Sequence, residues 1–279
     1  MLNPPKILTF SATDPTGGAG MSADIMTQSS LGCHPLSVVT GITVQDTMGV
    51  ESLMPVAGEL VNEQARNILE DSEINIIKCG VLSSAENIAY VAEIISDYPD
   101  IPLIIDPILA SGRGDELANE EMRQSMIQLL FPHATLITPN SYEARRLVLF
   151  DDEDIEQLTL EESATRLIAA GCDNVLITGA HEKTKEVINT LYQYENSKDA
   201  KSYHWERLPG GYHGSGCTLT SAIAAYLAHG LNFLTAIEEG QHFTWQALKN
   251  AYRSGMGQLT PDRFFWMDEE EEDGRFTHH

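Results

Sequence analysis

The chain has 279 residues, 42% of them hydrophobic, which suffices for one large α/β domain or two small ones. No apolar run approaches the roughly 20 residues of a membrane-spanning helix, and no basic segment precedes an apolar stretch as in a signal peptide, so we expect a cytoplasmic protein without membrane partners. The net charge of −24 disfavours nucleic-acid binding, and any phosphate site therefore needs local positive potential from a helix end, a metal ion or a few placed bases.

Strands and helices alternate along the chain. In chain order, the hydrophobic pattern predicts strands over residues 7–11, 36–44, 74–79, 102–107, 134–140 and 174–178. Helices are predicted over residues 22–31, 59–71, 85–97, 120–130, 141–148, 216–229 and 233–254, with another that follows a capping box of Thr159 and Glu162 and ends at residue 170. Residues 187–195 and 201–208 predict a hairpin. This order predicts a mainly parallel sheet covered by helices on both faces.

Polar residues stand at the carboxyl ends of several predicted strands, where ligands bind in such folds. They are Asp14, Gln45, Asp106, Asn140 and Thr178, and they predict one active cleft. We expect a single domain over residues 1–265, followed by a disordered acidic tail over residues 266–279. The four cysteines are scattered, which predicts neither a zinc ribbon nor a disulfide framework, and three of them are expected to be buried as small hydrophobes.

The sequence HGSGC, residues 213–217, is typical of an anion-binding helix start. Its glycines let the backbone approach a ligand and turn several N–H groups toward one point, and the helix that follows from Gly216 adds its positive end. Cys217 lies in the first helical turn, where a thiol pKa is lowered, so it could be a base or nucleophile. A packed glycine loop with a small core cysteine is the alternative.

Two further motifs stand where strands give way to loops or helices. TDPTGGAG, residues 13–20, is a second glycine loop that suits close ligand approach without being a dinucleotide fingerprint. Asn140 and Glu143 are spaced as a capping box, the interpretation that spacing alone favours, but their oxygens also suit Mg²⁺ through water.

Three side chains near strand ends have chemistry that suits a phosphate or a heterocycle. Asp106 could face a metal ion or close a turn. Arg113, in a glycine-flanked loop, could meet a phosphate. The carboxamide of Gln45 could recognise a ring nitrogen beside an amino group, or could serve in a turn.

Five motifs together resemble the hydroxymethylpyrimidine/phosphomethylpyrimidine kinases of thiamine biosynthesis, in the ribokinase-like superfamily. They are TDPTGGAGMSAD, TVQDTMGV, DPILASGRGD, TPNSYEA and HGSGCTL, and the resemblance spans about residues 6–255. It implies a three-layer α/β/α sandwich and a homodimer. It also implies ATP-dependent phosphorylation of 4-amino-5-hydroxymethyl-2-methylpyrimidine and then of its monophosphate, with Mg²⁺.

The resemblance also implies a role for each matching residue. Cys217 resembles the catalytic base, and Gly214, Ser215 and Gly216 resemble the anion hole. The substrate-binding residues are matched by Gly20, Asp24, Gln45 and Val81. The nucleotide and magnesium side is matched by Asp106, Arg113, Asn140, Glu143 and Thr178.

Two positions depart from the family pattern. Thr178 stands where many members have a lysine, so Arg113 or a second metal ion could replace a cation at the ATP phosphates. Asp46 stands in VQD where the family has AQN, and a nearby carboxylate would disfavour the charged monophosphate.

Three other functions are compatible with these motifs. Pyridoxal kinase belongs to the same superfamily and also phosphorylates a hydroxymethyl group on a ring. A cysteine hydrolase would use Cys217 with His213 or His181, but it lacks a third group and leaves the other motifs unused. A regulator would bind the pyrimidine or nucleotide without turnover.

Overall fold

A nine-stranded sheet forms the middle layer of the molecule, in the strand order β3-β2-β1-β4-β5-β6-β7-β8-β9. The structure is a computed structural model that describes residues 3–150, 153–194 and 200–267. The strands are β1 (Lys6–Thr13), β2 (His34–Gln45), β3 (Val50–Pro55), β4 (Ile76–Cys79), β5 (Leu103–Ile105), β6 (Ala134–Ile137), β7 (Asn174–Ile177), β8 (Glu186–Gln193) and β9 (Lys201–Glu206).

The six strands from β2 to β7 run parallel, and the two outer segments of the sheet are antiparallel. β3 pairs antiparallel with β2, and β8 pairs antiparallel with β7 and β9, as the predicted hairpin requires. The central strands are short apolar runs buried on both faces. Their carboxyl ends therefore lie at one edge, where the loops that carry the predicted motifs emerge.

Helices cover both faces of the sheet. They are α1 (Gly20–Ser30), α2 (Gly58–Asp71), α3 (Ala85–Asp97), α4 (Glu120–Ser125), α5 (Ser141–Val148), α6 (Leu160–Ala169), α7 (Ser215–Ala228) and α8 (Phe233–Lys249). One core packs under α2, α3, α5 and α6, and the other under α7 and α8. Because strand side chains alternate, Leu103 and Ile105 enter the first core and Ile104 the second. The predicted α/β/α sandwich is confirmed.

Three predicted elements differ from the structure. Strand β3 was not predicted, since Glu51 and Met54 are exposed on an edge strand with no apolar run. The helix predicted over residues 120–130 is α-helical only to Ser125 and continues as a π-helical turn over Met126–Leu130. Helix α8 ends at Lys249 rather than at residue 254, because the chain turns there and later pairs Tyr252 with Thr260.

The C-terminal segment packs against the body of the molecule beyond the predicted boundary at residue 265. Phe265 packs against Phe243 with the two rings tilted by 53°, and the indole N–H of Trp266 donates to Ser30 Oγ at 2.9 Å. The rest of the predicted acidic tail, residues 268–279, lies outside the described residues. Within the described ranges, none of the helices is both long and apolar enough to cross a bilayer. All four cysteines are free and buried.

Candidate active site

Two adjoining cavities open at the carboxyl edge of the parallel strands. The first cavity has an empty volume of about 950 Å³ and the second about 1120 Å³. They share the lining residues Gly112, Tyr212, Ser215, Gly216 and Gln258. Two ligands bound in these cavities would therefore meet at the start of α7.

Most of the predicted site residues line these cavities. The first cavity is lined by Gly20, Gln45, Val81, Asp106, Asn140, Glu143, Gly214, Ser215, Gly216 and Cys217. Thr178 lines the second. Asp24 and Arg113 line neither.

The start of α7 forms the predicted ring of backbone donors. Gly214 is the N-cap with a left-handed φ of 79°, and a Cβ there would lie 2.0 Å from the carbonyl oxygen of Gly18. The first bond back to the cap is from Thr218 N–H to Gly214 O at 2.9 Å. The N–H groups of Ser215, Gly216 and Cys217 therefore have no acceptor within the helix and are available to an anion.

Cys217 is buried between the two glycine loops. The backbone N–H of Gly20 and the carboxylate of Asp106 are the polar groups that act on its sulfur from the cavity side. The prediction of a lowered thiol pKa is wrong: burial raises the pKa of Cys217 to about 12, the nearby charges of Asp106 and Asp24 raise it as well, and Lys78 only partly offsets this. The resting side chain is a neutral thiol near the carboxylate of Asp106.

A buried ion pair lies beneath this thiol. Lys78 Nζ donates to Asp24 Oδ1 at 2.8 Å, and both side chains are fully inaccessible. Ser221, one turn after Cys217 in α7, also donates to Asp24 Oδ1 at 2.7 Å. The predicted substrate contact of Asp24 is not seen in the structure, because this side chain is fully buried below the cavity, where Oδ1 binds Lys78 and Ser221. Lys78 was missed, although a lysine in the apolar strand sequence IIKC was a visible signal.

Asn140 and Glu143 form a complete capping box at the start of α5, as their spacing predicts. Asn140 Oδ1 accepts from the N–H groups of Tyr142 and Glu143, and the Glu143 carboxylate accepts from the N–H of Asn140 at 2.9 Å. Burial and the negative charge of Asp106 raise the pKa of Glu143 to about 8. Burial likewise raises the pKa of Asp106 to about 6.

These carboxyl groups fit a divalent cation. Asp106 Oδ2 is buried and unpartnered among the described residues, and Asp106 and Glu143 face one cavity with mutually unfavourable charge. A cation between them would relieve both effects. Since the oxygens of Asn140 already accept backbone bonds, its contribution would pass through water. No group of three or more His, Cys, Asp or Glu side chains that could hold a metal occurs in the described residues.

The glycine loop of residues 13–20 is fixed by Asp14, whose partners sequence reasoning did not identify. Its carboxylate accepts from the N–H groups of Thr16 and Ala19 and from His213 Nε2 at 2.8 Å. Burial alone would raise the pKa of Asp14, but the hydrogen bonds from His213, Thr16 and Ala19 outweigh it and lower the pKa to about 2. His213 thus joins the two glycine loops on the cavity side.

The structure also corrects the expectations for two charged residues. Arg113 is exposed and paired with Asp115 at 3.0 Å, so it does not reach the cavities where a phosphate would lie. Asp46 is exposed and caps its own turn by accepting from the N–H groups of Met48 and Gly49. The neighbouring residue Gln45 lines the first cavity, but Asp46 does not. The charge of Asp46 is therefore held away from a ligand in the first cavity.

The second cavity is built from the hairpin of β8 and β9, the loop after β7 and helix α8. Thr178 bridges to Asn140, next to the first cavity. Arg207 donates to the carbonyl oxygens of Ala180, Glu182 and Thr184 and so shapes the loop that borders the cavity. Trp205 and Trp245 add aromatic surface. Flat, partly apolar walls of this kind suit a purine ring.

Known proteins with similar sequences and structures agree with this geometry. A family model described as phosphomethylpyrimidine kinase matches residues 14–262. A hydroxymethylpyrimidine/phosphomethylpyrimidine kinase of Mycobacterium tuberculosis is 36% identical over 259 residues, 92% of each chain. A bifunctional thiamine biosynthesis protein of Geobacter sulfurreducens is 33% identical and is covered over 51% of its own length, with 90% of this chain aligned.

Among solved structures, the pyridoxal kinase of Staphylococcus aureus in complex with AMP-PCP and pyridoxal aligns with a TM-score of 0.83 at 25% identity, over 95% of this chain and 96% of that one. The chain belongs to the phosphomethylpyrimidine kinase family.

Proposed function

We propose that this protein is an ATP-dependent kinase that phosphorylates 4-amino-5-hydroxymethyl-2-methylpyrimidine and then its monophosphate, in thiamine diphosphate biosynthesis. The observation that carries the proposal is the meeting of two cavities at the free N–H groups of Ser215, Gly216 and Cys217. Such donors stabilise the spread negative charge of a phosphoryl group in transfer. The matching kinases supply the substrate class.

The two substrates are assigned by the lining of each cavity. The pyrimidine occupies the first cavity, where the Gln45 carboxamide can donate to a ring nitrogen and accept from its amino group, beside Gly20 and Val81. ATP occupies the second cavity, with its base against the tryptophans and its phosphates extending past Thr178 to the start of α7. Alignment of the two accounts for most of the rate gain.

Proton transfer uses Cys217 and Asp106 as a pair. The hydroxyl oxygen of the substrate attacks the γ-phosphorus, and the bond from that phosphorus to the leaving ADP oxygen breaks. The hydroxyl proton passes to the sulfur of Cys217 while the thiol proton passes to the neighbouring Asp106 carboxylate. Cys217 forms no covalent bond to substrate in this scheme.

Glu143 would hold Mg²⁺, with Asn140 acting through water, while Asp106 stays free to accept the thiol proton. When bound, the ion neutralises phosphate charge. The residues themselves supply the negative charge that binds it, and the capping box keeps the Glu143 carboxylate at the cavity. A homodimer, a cytoplasmic location and a single kinase domain stay predictions that accompany this proposal.

The test is ADP release with the hydroxymethylpyrimidine and, separately, with its monophosphate. Cys217→Ala should lower turnover on both by about 10²-fold or more, since it removes a general base. Cys33→Ala is the matched control, because Cys33 is equally buried but lies away from the cavities, and it should retain activity. Near-wild-type turnover of Cys217→Ala would contradict the assigned base. Wild-type inactivity on both substrates would contradict the function.

Pyridoxal is the second candidate substrate, supported by the structural similarity to a pyridoxal complex. The same assay with pyridoxal compares the two activities directly. A higher kcat/KM for pyridoxal than for the hydroxymethylpyrimidine would reverse the order of the proposals. Hydrolysis without ATP, or ligand binding without turnover, would instead favour the hydrolase or the regulator.

A further inference from the structure

Arg263 lies behind the first cavity and joins the two glycine loops from the buried side. The residue is only 2% exposed. Its guanidinium donates to Gly18 O at 2.6 Å, to Gly17 O at 3.4 Å and to Thr218 Oγ1 at 3.1 Å. Since Gly17 and Gly18 belong to the loop of residues 13–20 and Thr218 to the first turn of α7, one side chain spans both walls of the phosphate site.

No carboxylate forms a direct ion pair with this guanidinium, although the charges of Asp24 and Asp14 act on it from further away. All three of its acceptors are neutral, and none of the ion pairs within the described residues includes Arg263. An arginine remains ionised even in such surroundings, and a buried charge without a partner is costly. We expect an anion that binds nearby to offset this free-energy cost of burying the charge.

The cavity that would hold such an anion begins one peptide away. Ala19 and Gly20 follow the carbonyl group that Arg263 binds, and both line the first cavity. Lys78, beneath the first cavity, is neutralised by Asp24. Arg207 lines the second cavity, where it donates to three carbonyl oxygens, and so lies on the other side of the cleft. In a chain with a net charge of −24, Arg263 is thus placed to act on a phosphate through a single layer of backbone.

The second phosphorylation places more negative charge in the first cavity than the first phosphorylation does. In the first step the acceptor is a neutral alcohol, so the site holds only the phosphates of ATP. In the second step the acceptor is itself a phosphate, which brings additional negative charge into the first cavity. A fixed positive charge behind that cavity therefore lowers the free energy of the second complex more than that of the first.

We propose that Arg263 is a positioning residue that supplies the resident positive charge of the phosphate site and favours the monophosphate over the neutral alcohol as acceptor. The inference rests on the proposed function and deepens it, because it assigns the selectivity between the two acceptors to a residue that touches neither. Arg263 acts through the loop of residues 13–20 and the first turn of α7.

The test separates charge from hydrogen bonding. Arg263→Gln keeps donors but removes the charge, Arg263→Lys keeps the charge but loses the planar fork, and Thr218→Val removes one acceptor with no change in charge. The readouts are kcat and KM for each acceptor at saturating ATP. We expect Arg263→Gln to raise KM for the monophosphate about tenfold more than KM for the alcohol. Arg263→Lys should restore most of that ratio, and Thr218→Val should change both acceptors alike.

Each other outcome has a defined meaning. Equal losses on both acceptors in Arg263→Gln, or a ratio in Arg263→Lys no better than in Arg263→Gln, would reduce Arg263 to a structural link and overturn the proposal. Failure of both variants to fold, measured by thermal melting, would overturn it as well. A wild-type protein inactive on both acceptors would instead overturn the proposed function.

Discussion

Glu143 caps a helix and also faces a cavity, and this position lowers the stability of the fold at higher pH. Its carboxylate closes the capping box of α5 and also faces the first cavity near Asp106. Because burial and the like charge raise its pKa to about 8, the folded protein holds a proton that an unfolded chain would release above about 4.5. Stability therefore falls as the pH rises through that window.

Glu143→Gln should remove this penalty. The glutamine retains an acceptor for the N–H of Asn140 and loses only the longer contact to Leu109 N–H at 3.3 Å. We expect the melting temperature of Glu143→Gln, relative to wild type without metal, to rise from pH 5 towards pH 8, while turnover with Mg²⁺ falls.

Glu162→Gln, in the exposed capping box of α6, is the matched control. Hydrogen bonds from the side chain and N–H of Thr159 lower the pKa of Glu162 below its usual 4.5, so its carboxylate is ionised in the folded and unfolded chain alike from pH 5 to pH 8, and the effect of this substitution should stay constant over that range. Parallel pH trends in the two variants would contradict the raised pKa of Glu143.

At the scale of residues, the sequence predicted what is local and missed what is distant. Gln45 and Gly214 could be placed because each follows a recognisable strand or opens a recognisable helix. Arg263 could not, since its partner Gly18 lies 245 positions away and no spacing rule links them. Cys217 was placed correctly, but the sign of its pKa shift depended on burial that only the packed structure reveals.

At the scale of elements, the position of α7 depends on its close contact with α8. Gly240 of α8 packs against Ile223 of α7, and a Cβ at Gly240 would lie 2.5 Å from Ile223 Cγ1 and 3.0 Å from Ile223 N. Since α7 carries the anion-binding N–H groups at its other end, this contact helps to set their position relative to the sheet.

Gly240→Ala should push α7 away from α8. We expect a loss of about 1–3 kcal/mol in the free energy of unfolding from overpacking, and a lower kcat/KM although the substitution touches neither cavity. Urea unfolding and the ADP-release assay provide the two measurements.

The double variant Gly240→Ala with Ile223→Ala is the control for this mechanism. Removing the Ile223 side chain makes room for the new methyl group, so the double variant should lose about 0.5–3 kcal/mol less than the sum of the two single losses. Additive losses would show that the two helices do not compete for this space.

Long helices and the central strands were predicted well because their periodicity extends over many residues. The bounds of α3 and α5 agree with the prediction. The edge strand β3 was missed, because its partly exposed side chains give no periodic signal and its pairing with β2 is a tertiary contact. The π-helical turn after α4 has no local sequence rule that would have revealed it.

At the scale of the whole molecule, the net charge of −24 opposes compactness while the cleft must bind phosphates. The cleft meets this requirement locally, with backbone donors at α7 and the buried guanidinium of Arg263. Elsewhere the acidic surface repels itself, and this repulsion is long-ranged only when salt is low.

Added salt should therefore stabilise the protein. Raising sodium chloride from about 0.01 M to about 0.15 M shortens the Debye length from about 30 Å to about 8 Å, and we expect a higher melting temperature at pH 7. The same step near pH 4.5, where the sequence pI predicts almost no net charge, should have a smaller effect. An equal rise at both pH values would show that self-repulsion is not the cause.

The wall shared by the two cavities has a consequence for inhibition. Because Ser215, Gly216 and Gln258 belong to both linings, a ligand in one cavity lies next to a ligand in the other. A single bisubstrate compound could therefore tether a pyrimidine to an adenine nucleotide across the start of α7. Once one end was bound, the other would search a small volume at a millimolar effective concentration, so weak halves could combine into a tight inhibitor.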